Sequence, residues 1–481
     1  MVTARLATRA VDLCTMLILA RLLSPLDFGL IAIAMTLITL LEAALELPLS
    51  QALVQLPRIE PHHFHTAFTI GLLRGVALCV IAMSLALPFD RWYGHPELTP
   101  LIQALSLAPA SRGLQNPRLA EYAKELNFKY EFYLEISGKA LAFLAGSLTA
   151  YFLHTYWAIA LCTIVAPAST TLMGYIILPY RPRLSLRDWR LFSDFLGWFS
   201  LSQIIMAVNF QSDQLLLGKL LPPAKLGLFS TANSLTYIPL TALFGPVLRP
   251  LLSAFTVRRD DIARLGQSYQ HAASGIVSIG LPFLVGQVII AQPLIMVLLG
   301  PKWLSAASLF EWLSISLIPY LFGLLLTPLS MALGQTHEIA TRNMLQIMVK
   351  LPLVIIGAIN YGFAGVIVAR LISESVTALY CMLSIRKLCG LSLTRQFTVN
   401  LRAIMSCVAM LIVVLSLDRT MYFPLSPSWQ LLRLTLLIGS GVISYAGCLL
   451  LSWRLAGYPE GLEAFAVRLL WRRSLAKRRI A

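Results

Sequence analysis

Residues 17–38, LILARLLSPLDFGLIAIAMTLI, decide the fold, because the chain says them twice. LLLGKLLPPAKLGLFSTANSLT, residues 215–236, aligns with them without a gap at an offset of 198, and nine of 22 positions are identical. Leucine matches arise cheaply in any apolar chain. Pro25/Pro223, Gly29/Gly227 and, further on, Pro48/Pro246 do not, because each marks a point where backbone bends or approaches a neighbour closely. Arg21/Lys219 repeats a cation. Fainter echoes follow, LIQALS (101–106) with LFEWLS (309–314) and Glu135-x3-Lys139 with Gln346-x3-Lys350. Self-similarity at a fixed offset marks two copies of one structural unit.

The surrounding sequence sets the solvent of that unit. Of 481 residues, 58% are hydrophobic and only 12% charged, whereas a soluble chain carries about a quarter charged residues. Apolar runs of the length that crosses a bilayer recur from end to end. They predict spans at about 4–23, 28–50, 66–88, 99–116, 133–153, 156–178, 196–221, 226–248, 270–291, 308–333, 344–359, 363–384, 401–417 and 431–452. The fold class is therefore an all-α polytopic membrane protein of about fourteen transmembrane helices. Six spans per copy give both copies the same orientation, hence two parallel six-helix lobes related by an axis along the membrane normal, plus two C-terminal helices. The expected division is 1–192 for the N-lobe, 193–395 for the C-lobe, 396–452 for spans thirteen and fourteen, and 453–481 for a basic tail. PYRPRLSLRDWRLFSDF (179–195) links the lobes.

A net charge of +16 suggests nucleic acid until its placement is read. The cations gather in alternate connections (Arg58; Arg118, Lys124 and Lys129; Arg181, Arg183, Arg187 and Arg190; Arg258, Arg259 and Arg264; Arg342; Arg386, Lys387 and Arg395) and in the tail at Arg468, Arg472, Arg473, Lys477, Arg478 and Arg479. That is positive-inside patterning. It puts both termini in the cytoplasm and makes anionic membrane lipids, not nucleic acid, the counter-charge. The seven cysteines are scattered, with no CxxC or metal spacing, and read as small core residues. The first apolar run leads straight into a second and lacks a small-residue cleavage site, so it is expected to be a span rather than a cleaved leader. No lipidation motif is seen.

Several segments resemble one family. LARLLSPLDFGLIAIA (19–34) looks like the first-loop signature of the polysaccharide transporter, or oligosaccharide flippase (Wzx-like), branch of the multidrug/oligosaccharidyl-lipid/polysaccharide (MOP) superfamily. QALVQLPRIEPHHFHTAF (51–68) is similar to its second loop. YGHPELTPLIQALSLAP (93–109) and LLGPKWLSAASLFEWLSI (298–315) resemble its approaches to spans four and ten, and DQLLLGKLLPPAKLGLFSTANSLTYIP (213–239) its hairpin of spans seven and eight. The resemblance covers most of residues 15–350 in the right order. It implies a MATE/MOP-like fold and a flippase that moves a polyisoprenoid-linked saccharide across a bacterial inner membrane by alternating access, for O-antigen, exopolysaccharide or capsule synthesis. A glycan polymerase and chain-length machinery are the implied protein partners. Two departures stand out: almost no polar segment precedes span one, and Pro48 stands where relatives usually have glycine.

Such a protein makes no covalent bonds. It needs cations for phosphate, hydroxyl and amide groups for sugar, and an apolar flank for lipid. Ionisable residues inside spans are costly and are functional candidates by default. Lys139 and Lys350 occupy equivalent places in spans five and eleven, each one turn after a polar residue; the competing reading is a local Glu135–Lys139 pair and a snorkelling Lys350. Arg74, Arg112 and Arg249 lie in or near spans three, four and eight and suit phosphate or interfacial anchoring alike. Asn209 and Asp213 share a face of span seven, for sugar binding or helix bridging. Glu42 and Glu46 are one turn apart in span two and are candidates for ion coupling, by raising one carboxyl's proton affinity, or for neutralising arginines such as Arg74. Arg370 and Glu374 read as a structural pair within the membrane. His62, His63 and His65 with Glu60 have no second ligand cluster nearby in sequence, so no metal site is expected. No cofactor is expected, beyond a proton or sodium ion as coupling ion. Nothing fits GxxxxGK[ST], GxSxG or HExxH. The remaining alternatives are a MATE-type drug or metabolite antiporter, a membrane glycan polymerase or ligase, and a scaffold for a glycan-assembly complex.

Overall fold

The computed structural model describes residues 2–457 apart from 57, 126, 128, 194–195, 422–423 and 425. The basic tail expected beyond residue 457 lies outside the described residues. Those that are described form helices and connections, with no strand among them. In order, the helices are α1 (Val2–Leu22), α2 (Pro25–Ala44), α3 (Leu49–Gln55), α4 (Pro61–Tyr93), α5 (Leu98–Leu105), α6 (Leu107–Gly113), α7 (Leu119–Lys124), α8 (Lys129–Leu153), α9 (Trp157–Ile177), α10 (Arg190–Ser193) and α11 (Leu196–Leu220). There follow α12 (Pro223–Thr256), α13 (Ile262–Ile289), α14 (Ala291–Leu298), α15 (Ala306–Ser316), α16 (Tyr320–Gly323), α17 (Leu326–Ala332), α18 (His337–Cys389), α19 (Leu393–Thr398), α20 (Leu401–Thr420) and α21 (Pro427–Leu455).

Ten helical stretches among the described residues are long and apolar enough to cross a membrane, not the fourteen expected from sequence. The differences have local causes. α1 carries Arg5, Arg9, Asp12 and Arg21, and α11 carries Gln203, Asn209, Gln211 and Asp213, so neither is apolar enough. The fourth apolar run is divided into α5 and α6 at Ser106. Runs eleven and twelve share α18, which is interrupted at Gly362 (φ 57°, ψ −128°), a backbone conformation that only glycine adopts readily.

The chain divides into two compact units, one of residues 1–231 with 354–363 and one of 232–353 with 364–481. In the first unit, both copies of the repeat start a helix with proline at the same place, α2 at Pro25 and α12 at Pro223. Proline is well suited to a first helical position because its missing N–H would be unbonded there anyway. Ser24 caps α2 in a capping box with Asp27. The two helix starts meet face to face. A methyl group on Gly29 would overlap the Pro223 carbonyl oxygen, and one on Gly227 would overlap the Pro25 carbonyl oxygen and stand 2.9 Å from Gly29 N. Glycine at both points is thus a packing requirement, of the small-residue kind that lets membrane helices approach. α8 and α9 pack closely for the same reason, with Gly138 against Ala166 and Thr170 and Gly146 against Ala158 and Cys162.

In the second unit the core gathers α13, α15–α17, α20 and parts of α12 and α18 around Phe244, Phe255, Leu281, Leu284, Leu325 and Leu329. α20 and α21 pack on each other, and Tyr445 of α21 donates to Ser278 O of α13 at 2.7 Å.

Candidate functional site

A cavity of about 570 Å³ opens in the first unit, walled by the end of α2, α3, α4, α6, α7 and α8. Its shape follows from two backbone features. α2 stops at Ala44, and Pro48, whose ring prevents helix continuation, then starts α3, so Glu46 sits in the break. α4 and α6 touch through glycine: a methyl on Gly113 would stand 2.5 Å from Gly71 O and 2.9 Å from Gly75 Cα. That closeness brings Arg74 and Arg112 to the cavity, whose lining also includes Glu131 and Glu135 of α8.

Charge pairs line the cavity. Arg74 Nη2 donates to Glu46 Oε2 at 2.9 Å and to Glu42 O at 3.4 Å, while Arg112 Nη1 binds the Glu42 carboxylate. Glu42 and Glu46 are therefore both matched by arginine, the second of the two readings their spacing allows. Arg74 Nε is buried with no hydrogen-bond partner. A planar guanidinium with a donor left over is suited to hold a ligand oxygen.

Lys139 is placed otherwise. Its Nζ lies 2.8 Å from Asp12 Oδ2 and 3.0 Å from Glu135 Oε1, tying α1 to α8. Glu135 lines the cavity and Lys139 is not among the lining residues. Asp12 was absent from the sequence reading, since nothing in its own helix signals a partner 127 residues away. Asn209 and Asp213 lie on α11, which packs against α2 and α4; Asp213 is buried and its Oδ1 is 3.5 Å from Ser212 Oγ.

The remaining candidates belong to the second unit. Lys350 is buried on α18. One turn earlier, Gln346 Nε2 donates to Glu374 Oε1 at 2.9 Å. Arg370 Nη1 donates to Asn233 Oδ1 at 2.8 Å, and Arg342 Nη1 to Thr327 Oγ1 at 3.1 Å. These residues form a polar cluster whose partners come from α12, α17 and α18. Asn233 and Thr327 escaped sequence reading because uncharged polar residues are common in apolar helices. Arg249 is exposed on α12, three residues past Pro246.

An all-helical membrane chain with a polar, ion-paired cavity and internally duplicated helix starts is a transporter-type fold. The chain belongs to the polysaccharide biosynthesis protein family, whose family model matches residues 18–308. It is similar to the lipopolysaccharide biosynthesis protein WzxC of Escherichia coli (strain K12), with 25% identity over 400 residues, 81% of this chain and 80% of that protein. The succinoglycan biosynthesis transport protein ExoT of Rhizobium meliloti (strain 1021) is 25% identical over 334 residues, 67% of each chain. Among solved structures, the lipid II flippase MurJ in an inward closed conformation superposes with a TM-score of 0.73 at 16% identity, covering 94% of this chain and 98% of that one. At that identity the likeness concerns the fold alone.

Proposed function

We propose that the chain is a flippase that carries a polyisoprenoid-(pyro)phosphate-linked oligosaccharide across the bacterial inner membrane for surface polysaccharide synthesis, by alternating access and without enzymatic chemistry. The observation that carries this reading is the family match across residues 18–308, the stretch that contains the whole cavity. WzxC and ExoT are named for lipopolysaccharide biosynthesis and succinoglycan transport, which favours a saccharide cargo over a drug. Arg74 and Arg112 are the proposed phosphate-facing cations of the first unit, and Lys350, with Arg249 as an interfacial anchor, those of the second. Lys139 acts through Glu135, and Asn209 and Asp213 stiffen α11. Glu42 and Glu46 exchange arginine partners for a coupling proton or sodium ion. Both termini face the cytoplasm, and a glycan polymerase with its chain-length machinery takes the cargo on the far side. The test is the fate of the lipid-linked saccharide in a deletion strain. It should accumulate on the cytoplasmic leaflet and be cleared by the restored gene; normal arrival at the outer face would overturn the reading.

A further inference from the structure

The segment between α9 and α10 is not a loose tether. It lies along the first turns of α4 and is fastened at three heights. His65 Nδ1 is 2.7 Å from Tyr180 Oη and accepts the Arg183 N–H at 3.3 Å, and Thr69 Oγ1 accepts the Ser185 N–H at 2.9 Å. Because His65 Nδ1 accepts the Arg183 N–H, the Tyr180 phenol is the O–H donor and His65 is committed to the segment. One turn below, on the same face, His62 Nε2 stands 3.5 Å from Asp188 Oδ2.

We propose that His62, His63 and Asp188 bind one divalent transition-metal ion of the zinc class, which fastens the 179–190 segment to the start of α4. The three offer ligand atoms that all lie within 4.8 Å of one another. Two ligands about 2.1 Å from one zinc at the tetrahedral angle stand about 3.4 Å apart, which is the His62–Asp188 separation. A turn of the His63 ring, whose centroid is 4.3 Å from that of His62, completes a third corner.

Two further observations favour an ion. Asp188 Oδ2 is buried and has no hydrogen-bond partner, a costly condition for a carboxylate oxygen that a metal would relieve. Glu60 Oε2 lies 3.3 Å from His62 Nδ1, the carboxylate–imidazole relation that fixes the tautomer of a ligating histidine and leaves Nε2 free to bind metal. Two imidazoles and a carboxylate suit zinc and its neighbours better than calcium or magnesium. The Glu60 N–H to His63 Nδ1 bond, 3.1 Å, competes with the metal, as do the positive end of the α4 dipole and the four arginines of the segment. Glu60 and Asp188 supply the opposing charge.

The experiment uses the full chain purified in detergent without a polyhistidine tag. Zinc is titrated against a chromophoric chelator, and trypsin nicking after Arg183, Arg187 and Arg190 is followed with and without zinc. We expect one zinc per chain at about 10 µM free ion, nicking slowed about tenfold, and full reversal by EDTA. Asp188→Asn and His62→Gln should lose both effects, and Glu60→Gln should weaken binding about 10–100-fold. Asp188→Cys, whose thiolate is also a zinc ligand, should keep binding and keeps the test decisive should Asp188→Asn misfold. Undiminished zinc binding by Asp188→Asn, none by the unaltered chain, loss in Asp188→Cys, or binding that leaves nicking unchanged would each overturn the proposal.

Discussion

Gly29 and Gly227 are equivalent positions of the repeat, and each presses on the proline that opens the other's helix. The contact is self-complementary, as at a two-fold interface, where residue i meets j and j meets i. It follows that the sequence repeat is also a spatial one at this point, and that the two glycines answer to the same constraint from opposite sides.

Alanine at either position should be costly. Overpacking a tight contact costs about 1–3 kcal/mol, so Gly29→Ala and Gly227→Ala should each lower the unfolding temperature in detergent by several degrees. Their effects should not add, because both report one contact. Gly286→Ala and Gly439→Ala are the controls, since nothing lies within 4 Å of a methyl group there. Equal stability of all four variants would refute the packing argument.

Arg74 and Glu46 provide a test of cavity function. Arg74→Ala removes the partner of Glu46 and the buried, unbonded Nε donor together, so transport should fall at least tenfold as judged by surface polysaccharide in a complemented deletion strain. Arg74→Lys keeps the charge but loses the fork, and should recover stability more fully than transport. If Arg74→Lys transports normally, a guanidinium is not what the cargo meets.

Lys139 separates structure from transport. Half-buried between two carboxylates, it falls between exposed pairs, worth about 0–1 kcal/mol, and buried pairs, whose breaking costs about 3–5 kcal/mol. Lys139→Met should therefore destabilise the chain measurably by leaving Asp12 and Glu135 face to face. Adding Asp12→Asn and Glu135→Gln should restore the unfolding temperature. Should the triple variant be stable yet inactive, the Lys139–Glu135 pair serves transport itself and not folding alone; full transport would show its role to be structural.

The repeat was legible because proline and glycine report backbone geometry wherever they stand, and the pairing of Glu42 and Glu46 because ionised carboxylates in apolar helices need cations. Long-range partners were not. Asp12 with Lys139 and Asp188 with His62 join residues more than 120 positions apart, and each half taken alone looks like an ordinary surface group. The fourteen apolar runs and the ten span-length helices among the described residues differ for another reason. Apolar length reads past the break at Ser106, where Pro109, three residues on, has no N–H to return to Leu105 O.

Gly362 carries a consequence of another kind. α18 has 53 residues. Drawn out as one rod at 1.5 Å per residue it would measure about 80 Å, against about 30 Å for the hydrocarbon layer. Only the change of direction at a backbone geometry closed to other residues keeps its two apolar halves within reach of one bilayer. A side chain at 362 would therefore be less a matter of lost stability than of topology: the chain would have to choose which half to leave outside.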